Sequence, residues 1–254
     1  MTKRKGSCEM GFYEQISRYY DYIFPAGREQ LDFIRECAGV PPKKVVDVAC
    51  GSGGYAIELA KLGYDVTAVD IDEKMIEKTK SKASQERVDI RAFKCDMRNL
   101  SGTVTGENDC VYCIGNSIVH LAGKKEISDV LGQMHSVLGN DGTLIIQIIN
   151  YDRIIRLDVQ GLPDITNREA GLKFIRRYKY CRDTGLIDFN TVLEVANGSE
   201  VQSYENIVPL FPLMSRDMAE MLEREGFKDI SLYGDFTGTP YNENSFMLVV
   251  KAVK

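Results

Sequence analysis

VVDVACGSGGYAIELAKLGYDVTAVDID, residues 45–72, reads as strand, glycine turn, helix, strand and acidic end, and the rest of the chain is organised around it. Residues 45–49 are a short apolar run broken by one carboxylate, Asp47. Gly51-Ser52-Gly53-Gly54 lets the backbone turn sharply with nothing bulky projecting from it, so a ligand can lie on the turn. From Tyr55 to Leu62 apolar residues recur at helical spacing, and Gly63 ends that helix. Residues 65–69 then form a second strand-like run, closed by Asp70. The whole is a βαβ unit of the nucleotide-binding kind.

Gly51, Gly53 and Ala56 satisfy the dinucleotide pattern G-x-G-x-x-G/A, and Asp70 lies where a ribose-binding acid is expected. Asp47 separates the readings. A carboxylate inside the first strand, shortly before Gly51, would only repel a pyrophosphate but suits a cation. S-adenosylmethionine (SAM) carries an α-ammonium and a sulfonium, no phosphate, and one ribose whose hydroxyls Asp70 can accept.

On VDVACGSGG, Asp70, Cys95-Asp96-Met97 and IGNSIVHL at 114–121, the chain resembles the class I SAM-dependent methyltransferases, from Phe12 to the C-terminus. ACGSG, GNSIVHL and Asn150-Tyr151-Asp152 look most like the glycine and sarcosine N-methyltransferases and their small-molecule relatives. The resemblance implies an α/β, Rossmann-like seven-stranded sheet with a terminal antiparallel hairpin and an antiparallel β insertion after strand five. It implies SAM as cofactor, S-adenosylhomocysteine (SAH) as product, and a small-molecule methyl acceptor. The cofactor contacts it implies are Tyr13, Tyr20, Arg28, Asp47, Ala49, Gly51, Asp70, Ile71, Met75, Asp96, Met97 and Ile114.

A chain of 254 residues, 44% hydrophobic, suits one large domain with an insertion. A net charge of −5, with no basic run beyond Lys3-Arg4-Lys5, offers no footprint for a nucleic-acid backbone. No apolar stretch is long enough to span a membrane and no apolar leader follows the basic tripeptide, so the expected location is the cytoplasm. Self-association is left open. Seven scattered cysteines, an odd number, fit a reducing compartment. Cys110 and Cys113 have CxxC spacing, but with two histidines in the chain and no second CxxC they are read as small buried hydrophobes, and no metal site is expected.

The single domain is expected to span 1–254, with an aromatic lid and flanking helix at 12–38 and a substrate-covering insertion at 151–212. Residues 12–24 crowd Phe12, Tyr13, Ile16, Tyr19, Tyr20, Tyr22, Ile23 and Phe24 together, as either a packing helix or a lid whose Tyr13 and Tyr20 cover the sulfonium. Arg28 opens the next amphipathic helix, as a solvated charge or, as the resemblance implies, as a partner of the SAM carboxylate. Met75 packs on the adenine or into the core. Asp96, following a strand at 89–93, accepts from the adenine amino group or caps a loop.

The exit of the fourth strand, Gly115-Asn116-Ser117-Ile118-Val119-His120, faces the methyl group in the methyltransferases it resembles. Asn116 and Ser117 are the candidates to orient a substrate amine, and His120 either lines the same cavity or stays buried and neutral. After a helix at 124–138, Gly139-Asn140-Asp141-Gly142 turns into a fifth strand at 143–149. Strands are expected at 174–181, 187–195 and 201–208, joined by the hairpin turns Asp183-Thr184-Gly185 and Asn197-Gly198. Arg177, Tyr178 and Tyr204 there reach the substrate, or the sheet serves as an extension or interface. Ser215 reads as the N-cap of a helix to Glu225, and strands at 230–236 and 245–252 close the sheet antiparallel.

Methyl transfer from a sulfonium is an in-line displacement that needs alignment and exclusion of water rather than a nucleophilic side chain. An amine acceptor needs only orientation, by Asn116 and with Tyr20 near the sulfonium; a phenol or acid needs a base, for which His120 is the candidate. The glycine N-methyltransferases resembled here have an arginine just before Asn-Tyr-Asp for the substrate carboxylate, whereas this chain has Ile149. That favours an acceptor other than a free amino acid. The alternatives are a catalytically silent SAM-binding module and a nicotinamide-dependent oxidoreductase.

Overall fold

The computed structural model describes residues 15–198 and 200–254. A helix α1 runs through 15–23. There follow α2 (Arg28–Ala38), β1 (Lys44–Val48), α3 (Gly54–Lys61), β2 (Asp65–Asp70), α4 (Glu73–Glu86) and β3 (Ile90–Lys94). Next come β4 (Asn108–Cys113), α5 (Lys124–Val137), β5 (Leu138–Ile149) and α6 (Tyr151–Arg156). Four strands succeed one another, β6 (Gly161–Asn167), β7 (Leu172–Cys181), β8 (Leu186–Asn197) and β9 (Glu200–Leu210). The chain closes with α7 (Ser215–Arg224), β10 (Lys228–Tyr233) and β11 (Met247–Val253). Two compact units result: Ala26–Arg153 with Leu213–Lys254, and Ile154–Pro212 with the residues up to Pro25.

The larger unit holds a seven-stranded sheet in the order β10-β11-β5-β4-β1-β2-β3, parallel except where β11 pairs antiparallel with β5 and β10. Val45, Val46 and Val48 are fully buried, as are Leu59 on α3 and Ile34 on α2, so β1 lies at the centre with helices closing over it. From β1 the chain winds outward to β2 and β3, then returns to lay β4 on the other side of β1. The strand order therefore reverses beside β1, and ligands gather at the carboxyl ends of strands at such a point. The closing antiparallel pair expected from the sequence is present as β10 and β11.

The smaller unit is a four-stranded antiparallel sheet, β6-β7-β8-β9. Leu172, Phe174, Leu193 and Val195 form its apolar cluster with Ile23, and Ile16 and Tyr19 of α1 pack against it. The expected three strands are joined by a fourth, β6, which the sequence conceals: Pro163 and polar neighbours break its alternation. Its register with β7 shifts between Leu162 and Ile165, and an edge strand with a bulge tolerates a proline.

Two local expectations are corrected. Strand five begins at Leu138, which pairs with Asn108, because Gly139-Asn140-Asp141-Gly142 is absorbed as an irregularity within the strand rather than preceding it. Ser215 does not cap α7 with its side chain; it is the first helical residue, and its N–H donates to Asp152 Oδ2 at 2.9 Å. Cys110 and Cys113 are both buried, and their odd spacing on β4 sends them to opposite faces of the sheet. Among the described residues no helix is long and apolar enough to cross a membrane.

Candidate active site

The bed of the site is the turn between β1 and α3. Ala49, Gly51 and Gly53 have φ of 60°, 55° and 76°, so the chain enters left-handed conformation three times within five residues. At Gly53, the N-cap of α3, a Cβ would lie 2.5 Å from Thr79 Cγ2, so glycine is required both by conformation and by space. Asp70, at the end of β2, fastens this turn: its Oδ2 accepts from Gly51 N–H at 2.9 Å and its Oδ1 from Asp72 N–H at 2.8 Å. Each carboxylate oxygen keeps a second lone pair for a ligand hydroxyl. Burial raises the Asp70 carboxyl above its usual range, opposed by these backbone donors.

Asp47 lies under the turn, 3% exposed. Neither its Oδ2 nor the hydroxyl of Tyr112 on β4 has a hydrogen-bond partner among the described residues. Burial pushes the Asp47 carboxyl up to about 7; the Tyr112 hydroxyl opposes the rise and the Asp70 charge adds to it. The groups around Asp47 are Tyr112, Asp70, Cys50, Cys113 and Tyr55, none of them cationic. A buried acid with an orphaned oxygen, a second acid nearby and no cation named among the described groups that act on it suits a cationic ligand.

Ile71 is 62% exposed, an apolar side chain held in solvent directly after Asp70, while Met75 is buried at the start of α4. Cys95 N–H donates to Asp70 O at 2.8 Å, which brings the end of β3 to the same edge. There Asp96 caps the 3-10 turn Met97–Gly102 through Arg98 N–H, and its carboxylate is also paired with the Arg98 guanidinium, which holds it below the usual carboxylate range. Met97 is half-buried beside it. Gly27 N–H donates to the Tyr55 hydroxyl at 3.1 Å, so the start of α2 is tied to α3. Arg28 there points into solvent, 3.6 Å from Asp32. Tyr13 lies outside the described residues.

On the other side of β1, Ile114 leaves β4 half-buried, and Gln147 of β5 receives Gly115 N–H on its side-chain oxygen at 2.7 Å and Asn116 N–H on its backbone oxygen at 3.2 Å. Asn116 sits at φ 69°. Its Oδ1 accepts from Ile149 N–H at 3.0 Å and its Nδ2 donates to the Tyr151 hydroxyl at 3.0 Å. Ser117 follows, half-buried, and leads into the 3-10 turn Ile118–His120. His120 is exposed, though enough protein surrounds its ring to lower its pKa by desolvation.

Sequence reasoning missed the groups that hold this edge. Tyr151 is fully buried. Asn150 donates to Ser245 O at 2.9 Å and accepts from the Tyr241 hydroxyl at 2.8 Å and from Arg153 N–H at 3.0 Å. Asp152 Oδ2 lies 2.9 Å from the same hydroxyl, whose one proton the two acceptors share. The triplet Asn150-Tyr151-Asp152, noted only for its resemblance, thus clamps the ends of β5 and β11.

In the smaller unit, Tyr20 is half-buried on α1, its ring 5.2 Å from that of Phe24. Tyr178 is buried and stacked on Phe189 at 5.2 Å, and Tyr204 packs half-buried on the apolar cluster, on the same face of the sheet as Tyr178. Arg177 is on the opposite face, exposed and 2.8 Å from Asp164. Adjacent strand residues point oppositely, so Arg177 and Tyr178 do not face one ligand together. The arginine on the tyrosine face is Arg176, whose buried Nε has no partner among the described residues while its Nη2 donates to Pro163 O at 2.7 Å.

The fold and the turn together define a class I methyltransferase architecture. A family model described as "Methyltransferase domain" matches residues 45–142, from β1 to the fifth strand. Over 237 residues, 92% of this chain and 84% of the other, the sequence is 28% identical to the glycine/sarcosine N-methyltransferase of Aphanothece halophytica. The enzyme of the same name from Halorhodospira halochloris is 27% identical, over 90% of this chain and 82% of its own. Among solved structures, a SAM-dependent methyltransferase from Clostridium acetobutylicum superposes with a TM-score of 0.78 at 16% identity, covering 95% of this chain and 98% of that one. The CcbJ methyltransferase of Streptomyces caelestis gives 0.77 at 18%, covering 93% and 95%. At these identities the structures carry the fold. Residues 45–142 are a methyltransferase domain, the sequence relatives over most of the chain are N-methyltransferases and the fold is that of SAM-dependent enzymes, so the cofactor is SAM, whose ammonium the buried Asp47 carboxylate fits.

Proposed function

We propose that the protein methylates the nitrogen of a small amine. The observation that carries the reading is the pair of neutral hydrogen-bonding side chains, Asn116 and Ser117, at the edge of β4; the buried Asp47, its Oδ2 without a partner among the described residues, supports the cofactor part. Asp47 takes the α-ammonium of the ligand, the turn at Gly51 supports its amino-acid part, and the outer lone pairs of Asp70 accept the ribose hydroxyls. Ala49, Ile71, Met75, Met97 and Ile114 supply apolar surface, and Asp96 accepts from the adenine amino group beside its Arg98 pair. Arg28 would have to leave Asp32 to meet the carboxylate.

Bound SAM supplies a methyl group, whose bond electrons return to sulfur as the nitrogen lone pair forms the new N–C bond. The charge that appears on nitrogen is relieved by loss of a proton to water or to His120, which desolvation keeps neutral near pH 7. At the edge of β4 the side chains offered to an acceptor are Asn116, which the buried Tyr151 hydroxyl holds in place, and Ser117, both neutral. Such groups orient an amine lone pair and do not ionise a phenol. The names of the relatives agree: glycine/sarcosine N-methyltransferases by sequence, a sugar N-methyltransferase and an amino pentose methyltransferase by fold.

Purified protein incubated with methyl-labelled SAM and a panel of glycine, sarcosine, amino sugars, phenols and carboxylic acids tests the reading. Label on nitrogen of one of the amines is the expected result. Label on a phenol or acid oxygen, with none on the amines, would overturn it.

A further inference from the structure

Asp47 and Tyr112 are register partners in the parallel pair β1–β4, so their side chains leave the sheet on the same face. They are 3% and 0% exposed, and each has one polar atom without a partner. The carboxylate lacks a donor where the phenol lacks an acceptor. A phenylalanine would fill the same apolar space without burying a hydroxyl, so the hydroxyl calls for a reason of its own.

We propose that Tyr112 is a positioning residue for the cofactor: when the ligand binds, its hydroxyl donates across β1 and β4 to the buried Oδ2 of Asp47, favouring the ionised carboxylate and leaving Oδ1 to the ligand's ammonium. The inference rests on the SAM reading above. The other groups that act on Asp47, namely Asp70 on β2, Cys50 on the turn, Cys113 on β4 and Tyr55 on α3, bring no positive charge. Among these groups Tyr112 works against its protonation. The ligand-free carboxyl, pushed up to about 7, is close to half protonated at neutral pH and must lose its proton when the cation arrives. The ligand's α-ammonium, beside its own carboxylate, titrates well on the alkaline side of neutral, so affinity has an acid limb set by Asp47 and an alkaline limb set by the ligand.

Calorimetric titration of the full chain with SAH, across pH and in buffers of different ionisation enthalpy, reads both limbs and the protons released. Wild type should lose affinity on the acid side of about 7 and release close to half a proton per ligand at neutral pH. In Tyr112→Phe the acid limb should move up by about one pH unit, costing about fivefold in affinity at neutral pH, with the alkaline limb unmoved. Asp47→Asn should abolish the acid limb. An unmoved acid limb in Tyr112→Phe, or an equal loss at every pH, would show the hydroxyl to be mere packing and overturn the inference. Should that variant not fold, replacing Tyr112 by 3-fluorotyrosine, whose hydroxyl is a more acidic donor, should move the acid limb down, and an unmoved limb overturns the proposal. If folded wild type binds no SAH at any pH, the cofactor reading falls first and this inference with it.

Discussion

Gly53→Ala should destabilise the protein by about 2–5 kcal/mol, a sum of two separable parts. The first is conformational: at φ 76° an alanine Cβ crowds the following carbonyl, at about 1–2 kcal/mol. The second is steric. The new Cβ would meet Thr79 Cγ2 at 2.5 Å, Oγ1 at 2.7 Å and Cβ at 3.0 Å, so no rotation of Thr79 about χ1 clears it. Thr79 is fully buried and its hydroxyl donates to Met75 O at 3.0 Å, which makes retreat expensive, at about 1–3 kcal/mol. Urea denaturation of wild type, Gly53→Ala, Thr79→Ala and the double variant measures both parts. The double variant should recover most of the steric part and none of the conformational part, so the cycle shows a favourable coupling of about 1 kcal/mol or more. A single variant within about 0.5 kcal/mol of wild type, or strict additivity, would refute the reasoning.

Asn150→Ala leaves Ser245 O and Arg153 N–H without their partner and the Tyr241 hydroxyl with Asp152 alone, and should cost about 2–4 kcal/mol in denaturant melts. Tyr151→Phe frees Asn116 at the methyl-transfer edge; labelled-SAM assays should show about tenfold or more loss in kcat/KM while SAH affinity stays within about twofold. The raised pKa of Asp47 means that the ligand-free fold prefers it protonated. Its contribution is complete below the ordinary carboxylate range and is lost as pH rises through about 7, so the melting temperature of the free protein should fall across that window and Asp47→Asn should flatten the fall.

The β1-turn-β2 unit was legible because its signals are local: the glycines, the strand carboxylate and Asp70 all lie within one short stretch. The clamp around Asn116 was not, since Tyr151 is 35 residues away and only folding puts its hydroxyl on the amide. β6 was hidden by Pro163 at its bulge, where a sequence pattern and an edge strand disagree. Strand parity places Arg176, not Arg177, on the face of Tyr178, a distinction readable from alternation alone. Arg28 and Asp96, carried over by resemblance, are engaged with Asp32 and Arg98, pairings that spacing suggests but does not rank against a ligand.

The central claim is that the turn and its two acids hold an adenosyl ligand bearing an ammonium. Calorimetric titration of wild type and Asp70→Ala with SAH and with NAD tests it most directly. SAH binding that is lost in the variant, with no NAD binding, is the predicted result; NAD binding without SAH would contradict it and return the turn to dinucleotide chemistry.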